Sequence, residues 1–295
     1  MNKDAQKTVL KNLIILHATV LIWGFTGILG ALISIDAIQL VWYRVMIASL
    51  SLLAYFIWTK TDIRVSRKQF FQFIFTGAVV ALHWILFFHT IKVANVSVSL
   101  ICMSSVTLFT AILEPLIKKY RVSKGDMLIG LIIIGGIYLI FKSESRYTTG
   151  LIFGLSSALA ASLFSTLNST LVQKTDAAII GFYELSGAFF WISIFRLLNG
   201  SLLNETFGIS ATDWLYLGLL GTVCTAMAYV AGVGVMRSLS AFRVALITNL
   251  EPVYGILLAF FLFGSKEQMT GGFYLGSLII LGAVFLYPVY KKYRG

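Results

Sequence analysis

Apolar stretches long enough to cross a ~30 Å hydrocarbon core recur along the whole chain, and no other feature constrains the fold as strongly. They run at about Leu13–Leu32, Ile38–Trp58, Phe70–Ile91, Val98–Ile117 and Met127–Phe141. A second set follows at about Gly150–Val172, Ala178–Leu198, Trp214–Met236, Val244–Phe263 and Gly271–Tyr290. Each must be a helix, because lipid offers no partner for an unpaired N–H or C=O. Composition agrees: 58% of the 295 residues are hydrophobic and 12% are charged, against about 25% charged in a soluble domain. The sequence predicts an all-α membrane protein with ten transmembrane helices. The first stretch follows Lys3, Lys7 and Lys11 but is too long for a signal peptide and lacks its cleavage site, so it is read as a helix.

The net charge of +11 would suggest nucleic acid in a soluble protein. Here the basic residues sit in short strings between apolar runs, "KTDIRVSRK" and "KKYRVSK" among them, which fits anionic lipid headgroups instead. With the N-terminus inside, most Lys and Arg fall on the inner connections. Lys92, Lys142, Arg146, Arg196 and Lys266 fall outside, and Arg44 falls within a span. Both termini are therefore expected in the cytoplasm, with the chain in the inner or plasma membrane. Trp58 and Tyr290 at inner ends, and Trp42 and Trp214 at outer ends, form the aromatic belts. Cys102 and Cys224 lie in separate apolar segments without metal or redox spacing and read as small buried hydrophobes. No cofactor motif is read: "GVGVMR" follows no strand, so it is not a phosphate loop, and no His lies at i,i+4 from another.

The chain also repeats itself. Tyr43-Arg44 falls on Tyr183-Glu184, "ALHWILFFHTIK" (Ala81–Lys92) on "AMAYVAGVGVMR" (Ala226–Arg237), and "GLIIIGGIYLI" (Gly130–Ile140) on "GSLIILGAVFL" (Gly276–Leu286). Two five-span units are expected, residues 1–145 and 146–295. Five is odd, so the second unit enters the membrane with opposite polarity, and a substrate site belongs between the units near the midplane.

Candidate site residues follow from misplaced polarity. Glu251-Pro252 interrupts "LITNLEPVYGILLAFFLFG" (Leu246–Gly264). An acid at a span centre costs about 2.5–3.5 kcal/mol on insertion scales, and proline deprives the carbonyl of Thr248 of its donor. Such polarity is tolerated where it lines a cavity, so the pair is expected to mark a kinked helix facing polar space, with Thr248 and Asn249 beside it. Arg44 and Glu184 hold matching places in the two units, and with Glu251 and Pro252 they are candidates for gating or coupling. Both also read as snorkelling or tethering charges. Trp23, His83, Trp84 and Phe87 form a mid-membrane aromatic and imidazole group, which Tyr229 joins from the second unit. Thr107 stands opposite Pro252 in the repeat register, and Asn168 belongs to the small, hydroxyl-rich stretch "SSALAASLFSTLNST". Both complete the pathway set. Glu114-Pro115, beside Lys118 and Lys119, reads as an interfacial cap rather than a second copy of Glu251-Pro252. Gly150-x-x-x-Gly154 and Gly272-x-x-x-Gly276 read as helix-packing motifs; the second would hold span ten to span five or to a second protomer in a homodimer.

These residues together resemble the drug/metabolite transporter superfamily, in particular its EamA-type ten-helix members. The resemblance lies in "LIWGFTG" (Leu21–Gly27), "WYRVMIA" (Trp42–Ala48), "ALITNLEPVYGILLAFFLFG" (Ala245–Gly264) and the Gly-rich tenth span. It implies spans one to four and six to nine around a central cavity, with five and ten packed outside. It also implies carriage of a small organic solute, often an amino acid or related metabolite and frequently outward. Thr107 stands where relatives tend to carry proline, and "KKYRVS" and "GSKEQ" replace the Gly-Glu pair that commonly follows spans four and nine. The Lys/Arg-lined core that a sugar-phosphate exchanger needs is missing.

The expected function is therefore a carrier working by alternating access, coupled to a proton, to a counter-solute or to neither. The competing readings are a membrane-embedded lipid- or acyl-transfer enzyme, for which the sequence offers no His-rich box or paired aspartates, and a receptor or scaffold, for which the connections are short.

Overall fold

The computed structural model describes residues 3–121, 124–201 and 208–294. Parts of the "KKYRVS" stretch and of the long connection around Asn199–Asp213 therefore lie outside the described residues, as do the side chains of residues 3–5, 124, 126, 127 and 287–294, Tyr290 included.

Among the described residues the chain is helical throughout, without a strand. The spans are Lys3–Leu32, Ala37–Thr59, Arg67–Val93, a fourth in two pieces, Lys124–Ser143, Thr148–Leu171, Ala177–Leu198, an eighth and a ninth with internal irregularities, and Gly271–Arg294. Polar caps fix where they start. Asp36 accepts from the amides of Ile38 and Gln39, Asn95 from Val98, Asp176 from Ala178 and Ser240 from Arg243. Ser66 and Gln69 form a reciprocal capping box. These caps satisfy N–H groups that the first helical turn leaves open. Spans two and four end in Lys60 (φ 52°) and Lys119 (φ 58°), both left-handed, a conformation that closes a helix C-terminus. The fifth span runs longer than its apolar stretch, from Lys124 to Ser143, because a helix can continue into the interfacial region beyond the oil.

Among the described residues three irregularities break the spans. Span four is Val96–Met103 and Val106–Lys118, divided at Ser104-Ser105. Span nine is Ala241–Thr248 and Leu250–Phe263, divided at Asn249. Span eight passes from α-helix (Ala211–Gly221) through a π-helical turn, Thr222–Met227, back to α-helix at Ala228–Val235.

The packing pattern survives exchange of the two halves. Span three packs on six and seven, and span eight on one and two. Span four packs on six, and nine on one; two meets seven, four meets nine, and five meets ten. That is the pattern of two inverted five-helix repeats around a pseudo-twofold axis. Spans five and ten contact mainly each other. A Cβ on Gly276 would stand 2.6 Å from Ile140 and 2.8 Å from the carbonyl of Gly136, and one on Gly272 would overlap Ser143. The Gly272/Gly276 motif thus faces span five within the chain. Leu131, Leu215, Phe261 and Leu278 are exposed on the outside, as lipid-facing residues should be.

Candidate solute cavity

A cavity of about 110 Å³ lies at the centre, walled by spans one, two, three, four, six, eight and nine. Trp23, Arg44, His83, Trp84, Phe87, Tyr229, Thr248 and Glu251 all line it, together with Thr26, Met103, Val106, Phe164, Ser165 and Val244. Thr107, Asn168, Glu184, Asn249 and Pro252, expected to line or gate the pathway, are not among the residues that line it.

Arg44 is 1% exposed. Its Nε donates to Thr225 Oγ1 at 2.6 Å, and its guanidinium carbon lies 4.0 Å from the ring centroid of Trp84 and 5.3 Å from that of Phe88. Thr225 sits in the π-helical turn, and its hydroxyl donates five residues back, to the carbonyl of Leu220, at 2.6 Å. That leaves the oxygen free to accept from Arg44. Stacking over the indole face stabilises a desolvated guanidinium. Among the described residues Arg44 Nη1 has no hydrogen-bond partner.

Glu251 is 7% exposed and buried at the start of the second half of span nine. Among the described residues it makes no hydrogen bond or ion pair, with Arg44 or with any other group. A guanidinium N–H without a partner and a carboxylate without a donor thus share one aromatic-walled space. The indole of Trp23, the third wall, packs where a Cβ on Gly232 would stand 2.7 Å from it.

His83 is held by Ser157. Its Nδ1 lies 3.0 Å from the Ser157 carbonyl, which can only accept, so Nδ1 carries the proton and Nε2 of the neutral ring is an acceptor. Ser157 Oγ donates to the His83 carbonyl at 2.9 Å, and the ring stands among Trp84, Phe87 and Phe164.

Glu184 lies deeper. It is 0% exposed, and its Oε2 accepts from Tyr229 Oη at 2.6 Å and from Asn168 Nδ2 at 2.9 Å. Asn168 Nδ2 also donates to Tyr229 Oη at 3.1 Å. Three residues that the sequence singles out separately form one cluster, which reaches the cavity through the Tyr229 ring. Asn249 and Thr107 form another pair: Asn249 Nδ2 donates to Thr107 Oγ1 at 2.7 Å and to the carbonyl of Ala245 at 2.7 Å. The break of span nine is tied there to the first turn of the second half of span four. Thr225, Ser157 and Phe164 were missed by the sequence reading. Ser157 lies in the hydroxyl-rich stretch of span six, but nothing in the sequence marks a π-helical turn at Thr225.

Helices long and apolar enough to cross a membrane, arranged as inverted repeats about a charged aromatic cavity, define a multi-pass membrane transport protein. The model of the EamA-like transporter family matches residues 10–142 and again 148–287, and the chain belongs to that family. It is similar to two proteins of Archaeoglobus fulgidus, each described as an uncharacterized transporter. One is 22% identical over 285 residues, 94% of this chain and 96% of the relative. The other is 27% identical over 151 residues, 51% of this chain and 52% of the relative, so that alignment spans about half of each. A protein of known crystal structure shares the fold with a TM-score of 0.71 at 12% identity, over 96% of this chain and 99% of its own.

Proposed function

We propose that the chain is a secondary carrier for a small amphipathic organic solute, an amino acid or related metabolite, moved outward across the cell membrane by alternating access. Residues 1–145 and 146–295 act as the two rocking units, and both termini face the cytoplasm. The observation that carries this reading is the pairing of Arg44 and Glu251 in one cavity without an ion pair between them. A buried charge without a partner is costly, so a solute bearing both an anionic and a cationic group would complete each one at the same moment. Trp23, Trp84, Phe87 and Phe164 then enclose its apolar part. Glu251 is the candidate for coupling to a proton, because the carboxylate faces the cavity and no donor among the described residues holds it charged. Glu184, saturated on one oxygen by Tyr229 and Asn168, is the second candidate. The two family-model segments, which meet between residues 142 and 148, support the division into units.

The test is counterflow in proteoliposomes against a panel of amino acids and common metabolites, the first hits coming from thermal-shift screening. A solute that exchanges through wild type but not through Arg44→Ala supports the reading. A chain that exchanges none of them while binding none overturns it.

A further inference from the structure

Spans four and nine carry reciprocal ties outside the cavity. The carboxylate of Glu267, just past span nine, accepts from the amides of Val96 at 3.0 Å and Ser97 at 2.9 Å, the first two residues of span four. Glu114, near the end of span four, accepts from the amide of Phe242 at 3.0 Å, in the first turn of span nine, and pairs with Lys118 at 2.8 Å. Both carboxylates are almost fully buried, at 4% and 2% exposure. Following the chain back and forth places Phe242 and Glu114 on the N-terminal side of the membrane and Val96 and Glu267 on the opposite side. Each amide group belongs to an eight-residue half-helix, Val96–Met103 or Ala241–Thr248. Each half-helix packs on the second half of the other span and ends at the cavity, in Met103 or Thr248. Each is also separated from the rest of its own span by a break, and Asn249, at the break of span nine, donates to Thr107 in the first turn after the break of span four.

We propose that these two half-helices are the gates of the cavity, one for each side of the membrane, hinged at Ser104-Ser105 and at Asn249. Glu267 and Glu114 are their latches. The carboxylates satisfy amides that a helix start leaves open and lie at its positive end. Each is supplied by the opposite unit, so rocking the units apart on one side draws the carboxylate from that helix start while the other tie holds. A second tie on each side follows the same exchange of halves. Asp213, in the first turn of span eight, accepts from the amide and hydroxyl of Ser34 beyond span one. Gln69, in the first turn of span three, donates to Thr175 beyond span six. Both sides are tied in this structure. The inference rests on the carrier reading but is tested without a solute.

The experiment places one reporter, Ser165→Cys, in the cavity wall of a chain carrying Cys102→Ala and Cys224→Ala. A membrane-impermeant maleimide is then applied from one side at a time in sealed vesicles of known orientation. Glu267→Ala is expected to raise the labelling rate about tenfold from the side opposite the N-terminus and to leave the other side unchanged, as fits the loss of hydrogen bonds to a charged acceptor. Glu114→Ala is expected to do the reverse. If an alanine variant loses its monodisperse peak, the glutamine variant at that position, which keeps the shape and removes the charge, is read for the same sidedness. Faster labelling from both sides alike would mean that the carboxylates only hold the fold together. That result, unchanged labelling, or an increase on the wrong side would overturn the proposal. Sidedness without counterflow would leave the gates standing and remove the solute assignment; counterflow without sidedness would do the opposite.

Discussion

The phenol of Tyr229 donates to the carboxylate of Glu184 across 2.6 Å, and both residues are buried, although one belongs to span eight and the other to span seven. Asn168 completes the cluster from span six. Tyr229→Phe should therefore lower stability by about 1–3 kcal/mol, the range for stranding a buried polar partner. Glu184→Gln retains a carbonyl that can accept from Tyr229 and should cost less than Glu184→Ala. Thermal unfolding in detergent checks the order, and a double-mutant cycle between positions 184 and 229 should give a coupling well above zero.

Arg44 is held by its shape as well as its charge. The guanidinium carbon lies over the Trp84 ring while Nε reaches Thr225. Arg44→Lys keeps the cation but loses the stack and the rigid fork, and counterflow should fall at least about tenfold, the equivalent of 1.4 kcal/mol. Thr225→Val should give a smaller loss in the same direction. An Arg44→Lys variant with wild-type flux would separate the guanidinium from solute handling.

Close packing sets a third expectation. A Cβ on Gly77 would stand 2.3 Å from the carbonyl of Glu184 and 2.8 Å from the amide of Ala188, both backbone atoms of span seven that cannot step aside. Gly77→Ala should cost about 1–3 kcal/mol or more and reduce the yield of folded protein. Among the described residues Gly218 has nothing within 4 Å of such a Cβ, so Gly218→Ala is the control and should leave yield and melting unchanged.

Proton coupling is tested at Glu251. Arg44, His83 and Tyr229 are the other titratable groups facing the same cavity. Glu251→Gln should abolish accumulation driven by an imposed pH gradient while leaving folding intact. Full retention of gradient-driven accumulation by this variant would exclude Glu251 as the proton carrier.

What the sequence made legible was the part written in hydropathy and repetition. The spans, the inverted relation of the halves and the unusual acid in span nine all follow from apolar lengths and matched residues such as Tyr43-Arg44 and Tyr183-Glu184. Facing directions did not. Arg44 and Glu184 hold equivalent positions, yet Arg44 stacks into the cavity and Glu184 turns behind Tyr229, because different neighbours surround them. The break at Ser104-Ser105 contains no proline or glycine and leaves no local trace. Glu267 looks like an ordinary loop acid until its partners at Val96 and Ser97, distant in sequence, are seen.

The most direct test of the account is solute counterflow into proteoliposomes by wild type, Arg44→Ala and Glu251→Ala, using a zwitterionic solute and its uncharged analogue. Wild type should exchange the zwitterion in preference to the analogue, and each variant should lose that preference. Equal flux of both solutes through all three proteins, with the variants folded, would contradict it.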